Sequence, residues 1–176
     1  RGFHSNDARG STTRVDPNDP AQALAPVRPL VRTRGEEIGV RAQWWPGWTH
    51  TLALWQLQMD SELVFVGDAG TTEASRPSRR RGLEWHQQIA LGRHWAFDAD
   101  LAWSSARFID GAPTQSHIPG AASTVANLGL SWHALGPWSG ALRLRYWGAR
   151  PLTEDQARRA RAAAWLNLRA GYRVGP

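Results

Sequence analysis

Residues 44–48 read Trp-Trp-Pro-Gly-Trp (WWPGW), three indoles around a Pro-Gly turn signal, where small polar residues are the usual choice. Two further breaks, GRHWAF (92–97) and GPWSG (136–140), also set a tryptophan beside a short turn. Leading into WWPGW the chain alternates with period two. In EIGVRAQW, Ile38, Val40, Ala42 and Trp44 share one face, and Glu37, Gly39, Arg41 and Gln43 the other. Half-buried strands produce this alternation; helices do not.

The pattern recurs along the chain. Leu83, Trp85, Ile89 and Leu91 oppose Glu84, His86, Gln88 and Ala90, with Gln87 a polar intruder. Phe97, Ala99, Leu101 and Trp103 oppose Asp98, Asp100 and Ala102, and Ala126, Leu128, Leu130 and Trp132 oppose Asn127, Gly129, Ser131 and His133. Leu142, Leu144 and Tyr146 oppose Arg143 and Arg145. Leu166, Leu168, Ala170, Tyr172 and Val174 oppose Asn167, Arg169, Gly171 and Arg173. In residues 49–66 the face assignment slips near Trp55, which predicts a bulge there.

The connections alternate short and long. Short ones fall at Pro46-Gly47, Gly92–His94 and Gly136-Pro137; long ones cover 67–80, 108–123 and 150–162. Up-and-down antiparallel strands would put all short turns at one end and all long loops at the other. Residues 153–165 (TEDQARRARAAAW) have capping-box spacing at Thr153 and Gln156, which suggests a helix. Propensity is a weak guide, so the segment is expected to be a loop entering a strand.

Composition narrows the classes. The 176 residues suffice for one domain or a piece of something larger. No cysteine is present, which excludes disulfides and thiolate metal sites. Formal charge is +6 and every basic residue is arginine, which reads as genome bias rather than arginine chemistry. The opening RGFHSNDARG has no apolar export core. Two charge-free runs, 42–59 and 111–142, are broken by Pro and Gly, so any membrane contact is through strands.

Trp44, Trp45, Trp48, Trp95 and Trp138 all fall at the short-turn end. That is where a transmembrane barrel carries an aromatic girdle, each indole body in lipid and its N–H in the wet interface. The competing reading is a soluble barrel or sandwich with the tryptophans in its core. Soluble cores do not concentrate Trp beside turns, and a packed interior would be strongly destabilised by the charges on the second face.

Several motifs, in order, give the chain a resemblance to TonB-dependent receptors of the outer membrane. GFHSNDARG (2–10) resembles a strand-and-loop start of that family. RTRGEEIGVRAQ (32–43) and RRRGLEWHQQIALG (79–92) are similar to its R-x-x-G-x-E strands. HIPGAA (117–122), NLGLSW (127–132) and RPLTEDQARRARAAAWLNLRAGYR (150–173) follow in the family's order. The resemblance implies an all-β, antiparallel transmembrane barrel segment spanning residues 1–176, with short periplasmic turns and long extracellular loops. It implies about eight strands of a roughly 22-stranded barrel, without plug domain, TonB box or closing strands.

It also implies active import of a scarce ligand, most simply a ferric siderophore or other metal chelate, across the outer membrane of a Gram-negative cell. The implied partners are a plug domain, the TonB complex, outer-membrane lipid and lipopolysaccharide. Lumen-lining candidates are Glu37, Arg41, Glu84, His86, Asp98, Asp100, Asn127, Arg143, Arg145, Asn167 and Arg169; the bland alternative is polarity that only keeps a wall wet. Arg76, Arg79, Arg80 and Arg81 form a basic loop cluster suited to an anionic ligand or lipopolysaccharide phosphate, or merely to solvent.

Six histidines, at 4, 50, 86, 94, 117 and 133, lack metal-ligand spacing. No nucleophile–base motif or phosphate loop appears, so neither cofactor nor enzyme is expected. A small self-contained porin or adhesin is one alternative. A nucleic-acid-binding β-domain is the weaker one, because Arg and Trp mostly sort to opposite faces.

Overall fold

A segment whose polarity alternates can satisfy its backbone only by pairing edge to edge, and the register records how this one does so. The computed structural model describes residues 1–5, 15–16, 19–23, 28–61, 63–66, 71–74 and 76–174. Eight strands form one antiparallel sheet in chain order: β1 (Gly2–Ser5), β2 (Leu30–Trp45), β3 (Trp48–Met59), β4 (Ser78–Leu91), β5 (Trp95–Phe108), β6 (Thr124–Leu135), β7 (Trp138–Trp147) and β8 (Ala163–Tyr172). Each pairs with the next, and the sheet stays open between β1 and β8. The architecture is an up-and-down partial barrel.

All three short turns lie at one end. In the first, Pro46 presets φ and Gly47 supplies the positive φ of 90° that a side chain would resist. The long connections lie at the other end, one of them containing the small hairpin Leu63–Val66 with Thr71–Ala74. Two boundaries differ from expectation. β3 ends at Met59, so the first long connection starts at residue 60 rather than 67. Residues 78–80 are not loop, because the ladder continues through Gln56↔Arg81, Gln58↔Arg79 and Met59↔Ser78. Arginines on both faces hide this strand end. Residues 6–10, 67–70 and 75 of the expected loops lie outside the described residues.

Residues 153–162 form a loop with a short bridge, and β8 begins at Ala163. Local bonds defeat the helix. The Thr153 hydroxyl donates to Asp155 Oδ1 at 2.5 Å and accepts from the Arg158 N–H at 3.2 Å, while Gln156 sits at φ 62°.

Faces follow from register. One row runs Val40, Leu52, Trp85, Leu101, Ala126, Tyr146, Ala164 across seven strands. The row beside it on the opposite face runs Arg41, Thr51, His86, Asp100, Asn127, Arg145, Trp165. The apolar face has no layer packed on it: Ile38 is 74% exposed and Leu168 72%. The small buried cluster of Val31, Met59, Phe108 and Ile118 lies instead at the long-loop end.

That cluster explains the slip in residues 49–66. The register is unbroken from Thr33↔Met59 to Gln43↔Thr49, so no bulge occurs at Trp55. Trp55, Leu57 and Met59 occupy the otherwise polar face because its upper end is locally apolar. The bulge in this hairpin lies at WWPGW, between Gln43↔Thr49 and Trp45↔Trp48. Two residues there oppose one, which brings consecutive Trp44 and Trp45 to the same side. Both rings reach Trp48, at 4.9 and 4.1 Å between centroids.

Glycines open windows in the wall for large side chains. At Gly82 an added Cβ would lie 2.6 Å from the Trp103 carbonyl oxygen and 2.8 Å from Trp55 Cζ2. Gly82→Val should therefore destabilise the barrel by about 1–3 kcal/mol, read as a lower denaturant midpoint by tryptophan fluorescence. An unchanged midpoint would show that the Trp55 ring is free to move aside.

Candidate functional site: the polar face and the loop hub

All eleven candidates chosen for a lumen fall on the polar face by register. His86 Nδ1 meets Asp100 Oδ1 on the adjacent strand. In the next row Asp98, Gly129 and Arg143 stand abreast on β5, β6 and β7. The Asp98 carboxylate lies over Gly129, where any side chain would collide with it, and reaches the Arg143 guanidinium at 3.5 Å. An acid and a base two strands apart meet because the residue between them has no side chain.

Carboxylates are confined to one half of this face. Glu37, Glu84, Asp98 and Asp100 lie on β2, β4 and β5 with Arg41 and Arg80, whereas β6–β8 carry Arg143, Arg145 and Arg169 and no carboxylate on that side. Two exposed indoles join the basic half: Trp147, and Trp165 directly opposite Arg145. Neither was among the candidates, although one more step of the alternation from Arg145 or Asn167 reaches each.

The five girdle tryptophans stand at the short-turn end on the apolar face. Two partners were missed, Trp132 against Trp95 at 5.8 Å and Tyr172 against Trp138 at 4.8 Å between centroids. Deeper in the same face Trp85 Nε1 donates to His50 Nδ1 at 3.1 Å, which gives that indole an acceptor on an otherwise apolar face. At the other limit of the apolar face Trp103 is half-exposed beside Leu83.

The arginine cluster does not act as a unit. Arg79 and Arg81 lie on the apolar face and Arg80 on the polar face. Arg76 is a hub between loops. Its guanidinium contacts Glu154 Oε2 at 2.7 Å, the Gln115 carbonyl at 2.8 Å and Asp110 Oδ1 at 3.5 Å, and stacks 4.5 Å above the Phe108 ring. Nearby, Arg107 Nη1 donates to His117 Nδ1 at 2.8 Å, and the His117 N–H donates to the Glu154 carbonyl at 3.1 Å. Among the described residues no three His, Asp or Glu converge to hold a metal.

An open antiparallel sheet with one bare apolar face, one charged face, an aromatic rim and all long loops at one end is a wall segment of a transmembrane β-barrel. Residues 6–176 match the family model described as TonB dependent receptor-like, beta-barrel, and the chain belongs to that family, one of receptors rather than enzymes. Similar solved structures include the ferric-catecholate import receptor Fiu from K12 E. coli (21% identity, TM-score 0.66, 83% of this chain and 22% of that one). The ferric yersiniabactin uptake receptor FyuA from Yersinia pestis is 14% identical, with a TM-score of 0.70 over 88% of this chain and 24% of its own. The copper transporter OprC is 17% identical, with a TM-score of 0.64 over 84% and 24%. This chain thus spans about a quarter of the length of the receptors it matches. No curated relative matches it.

The hub generates a pH prediction. His117 titrates below the ordinary imidazole value of 6.5, first because burial disfavours the cation and then because Arg107 and Arg159 repel it, partly offset by the Glu154 carbonyl. Docked loops therefore bind this proton less readily than undocked ones. Docking is complete above 6.5 and weakens as pH falls through the lower, docked value. Amide exchange in 109–123 and 150–160, corrected for intrinsic rates, should accelerate between about pH 7.5 and about pH 5, and His117→Gln should flatten that dependence. Arg76→Ala should raise exchange in both loops at every pH.

Proposed function

We propose that this segment supplies wall, aromatic rim and outer loops to a receptor in the outer membrane of a Gram-negative cell that imports a scarce ligand. The observation that carries the reading is the sorting of faces, apolar and bare on one side, charged on the other. A single-layer sheet built this way exposes far too much apolar surface for water. Between hydrocarbon and a wet channel, both faces are satisfied.

In this reading the eleven polar-face candidates line the lumen and face a plug domain, whose movement through the TonB complex opens a path. The apolar face meets outer-membrane lipid and lipopolysaccharide. The ligand is a metal chelate, with a ferric siderophore first in order. Solved relatives named for ferric catecholate, ferric yersiniabactin and copper support that class without choosing within it.

Two experiments test it. The segment has no cysteine, so single spin labels at Leu128→Cys or Leu144→Cys, and at Asn127→Cys or Asp100→Cys, report one face each. The first pair should relax with dissolved oxygen and the second with a water-soluble nickel chelate; the reverse would end the reading. Cells carrying the receptor should take up iron from a ferric siderophore panel, and uptake should stop with an uncoupler. Uptake unaffected by deleting the receptor would refute import of that class.

A further inference from the structure

The apolar face changes character before the strands end. Its last hydrophobic row is Ile38, Leu54, Leu83 and Trp103. The next on that face is Glu36, Gln56, Arg81, Ser105, and the one after is Arg34, Gln58, Arg79, Arg107. These two rows hold four guanidinium groups and one carboxylate; Arg34 contacts that carboxylate, Glu36, at 2.6 Å, and Arg107 is turned to His117, which leaves Arg79 and Arg81. The surplus is positive.

Strand length sets the depth. A tilted strand crosses the hydrocarbon in about 9–11 residues. Counted from the short turn, Leu91 to Gly82 uses up that length, and Arg81 to Ser78 extend above it. Arg79 and Arg81 thus point to the lipid side at the level of the headgroups, with the half-exposed Trp103 marking the boundary below. Both arginines are exposed, and two positions apart on one strand they stand roughly 7 Å from each other.

We propose that Arg79 and Arg81, flanked by Arg34, bind the phosphates of anionic lipid headgroups in the outer leaflet and hold the acyl chains against Leu83 and Trp103. This rests on the reading of the apolar face as lipid-facing. Guanidinium forks match phosphate bidentately, and they do so best where water is scarce. At that level of a membrane the fixed anions within reach are headgroup phosphates.

The test uses the intact receptor carrying this segment, purified in detergent as wild type, R79Q/R81Q and R79K/R81K. Each is titrated with diphosphoryl lipid A and with its dephosphorylated form, with inorganic phosphate as competitor. R79Q/R81Q should bind the phosphorylated lipid on the order of ten-fold more weakly, with the dephosphorylated lipid unaffected. R79K/R81K, which keeps the charge, should fall between and show that the fold is intact. Equal binding of both lipids by wild type, no loss in R79Q/R81Q, or displacement by inorganic phosphate alone would overturn the proposal. A spin label at Leu144 in the same preparation, returned to lipid discs, separates the two failures. Oxygen contact without phosphate discrimination sinks only the arginine site; no oxygen contact sinks the lipid-facing reading beneath it.

Discussion

Hydrocarbon offers a peptide group neither donor nor acceptor, so a chain that crosses it must pair each backbone N–H and C=O with another part of itself. The ladder from β2 to β8 meets that demand strand by strand, each consecutive pair joined without a crossover. The rest of the molecule follows from it. Because backbone pairing runs from strand to strand through the sheet, side chains are free to sort by solvent, and the period of two sorts most of them. Because no second layer is needed, the buried cluster shrinks to a few residues under the long loops.

Departures from a regular ladder are placed where a side chain needs them. The bulge at Trp44 and Trp45 turns two consecutive indoles to one side, which simple alternation forbids. Gly129 lets Asp98 and Arg143 meet across an intervening strand, and Gly82 lets the Trp55 ring lie flat on the wall. In each case one small backbone feature replaces a neighbour's bulk.

Much of this was readable in the sequence. Seven of the eight strands, the short turns and the face of each lumen candidate follow from alternation and Gly/Pro punctuation; β1 follows only from the family resemblance, and the loop at 153–162 from the weakness of local helix propensity. Three things were not readable. The upper end of β4 carries arginine on both faces, so it looked like loop. The swap of faces in β3 carries Met59 to the end of the polar face where Val31 and Phe108 on other strands are also buried, which no local pattern records. Arg76 looked like one of four equivalent charges until the folded loops gave it Glu154, 78 positions away.

That last contact has a consequence for how such a surface evolves. Arg76 ties its own loop to those carrying Asp110 and Glu154, so the three are not interchangeable modules. An insertion accepted by one must be tolerated by the other two, and anything touching one of them presses on a single linked surface. Changes at this surface would therefore arrive as coordinated substitutions around a shared arginine, not as the swapping of one loop.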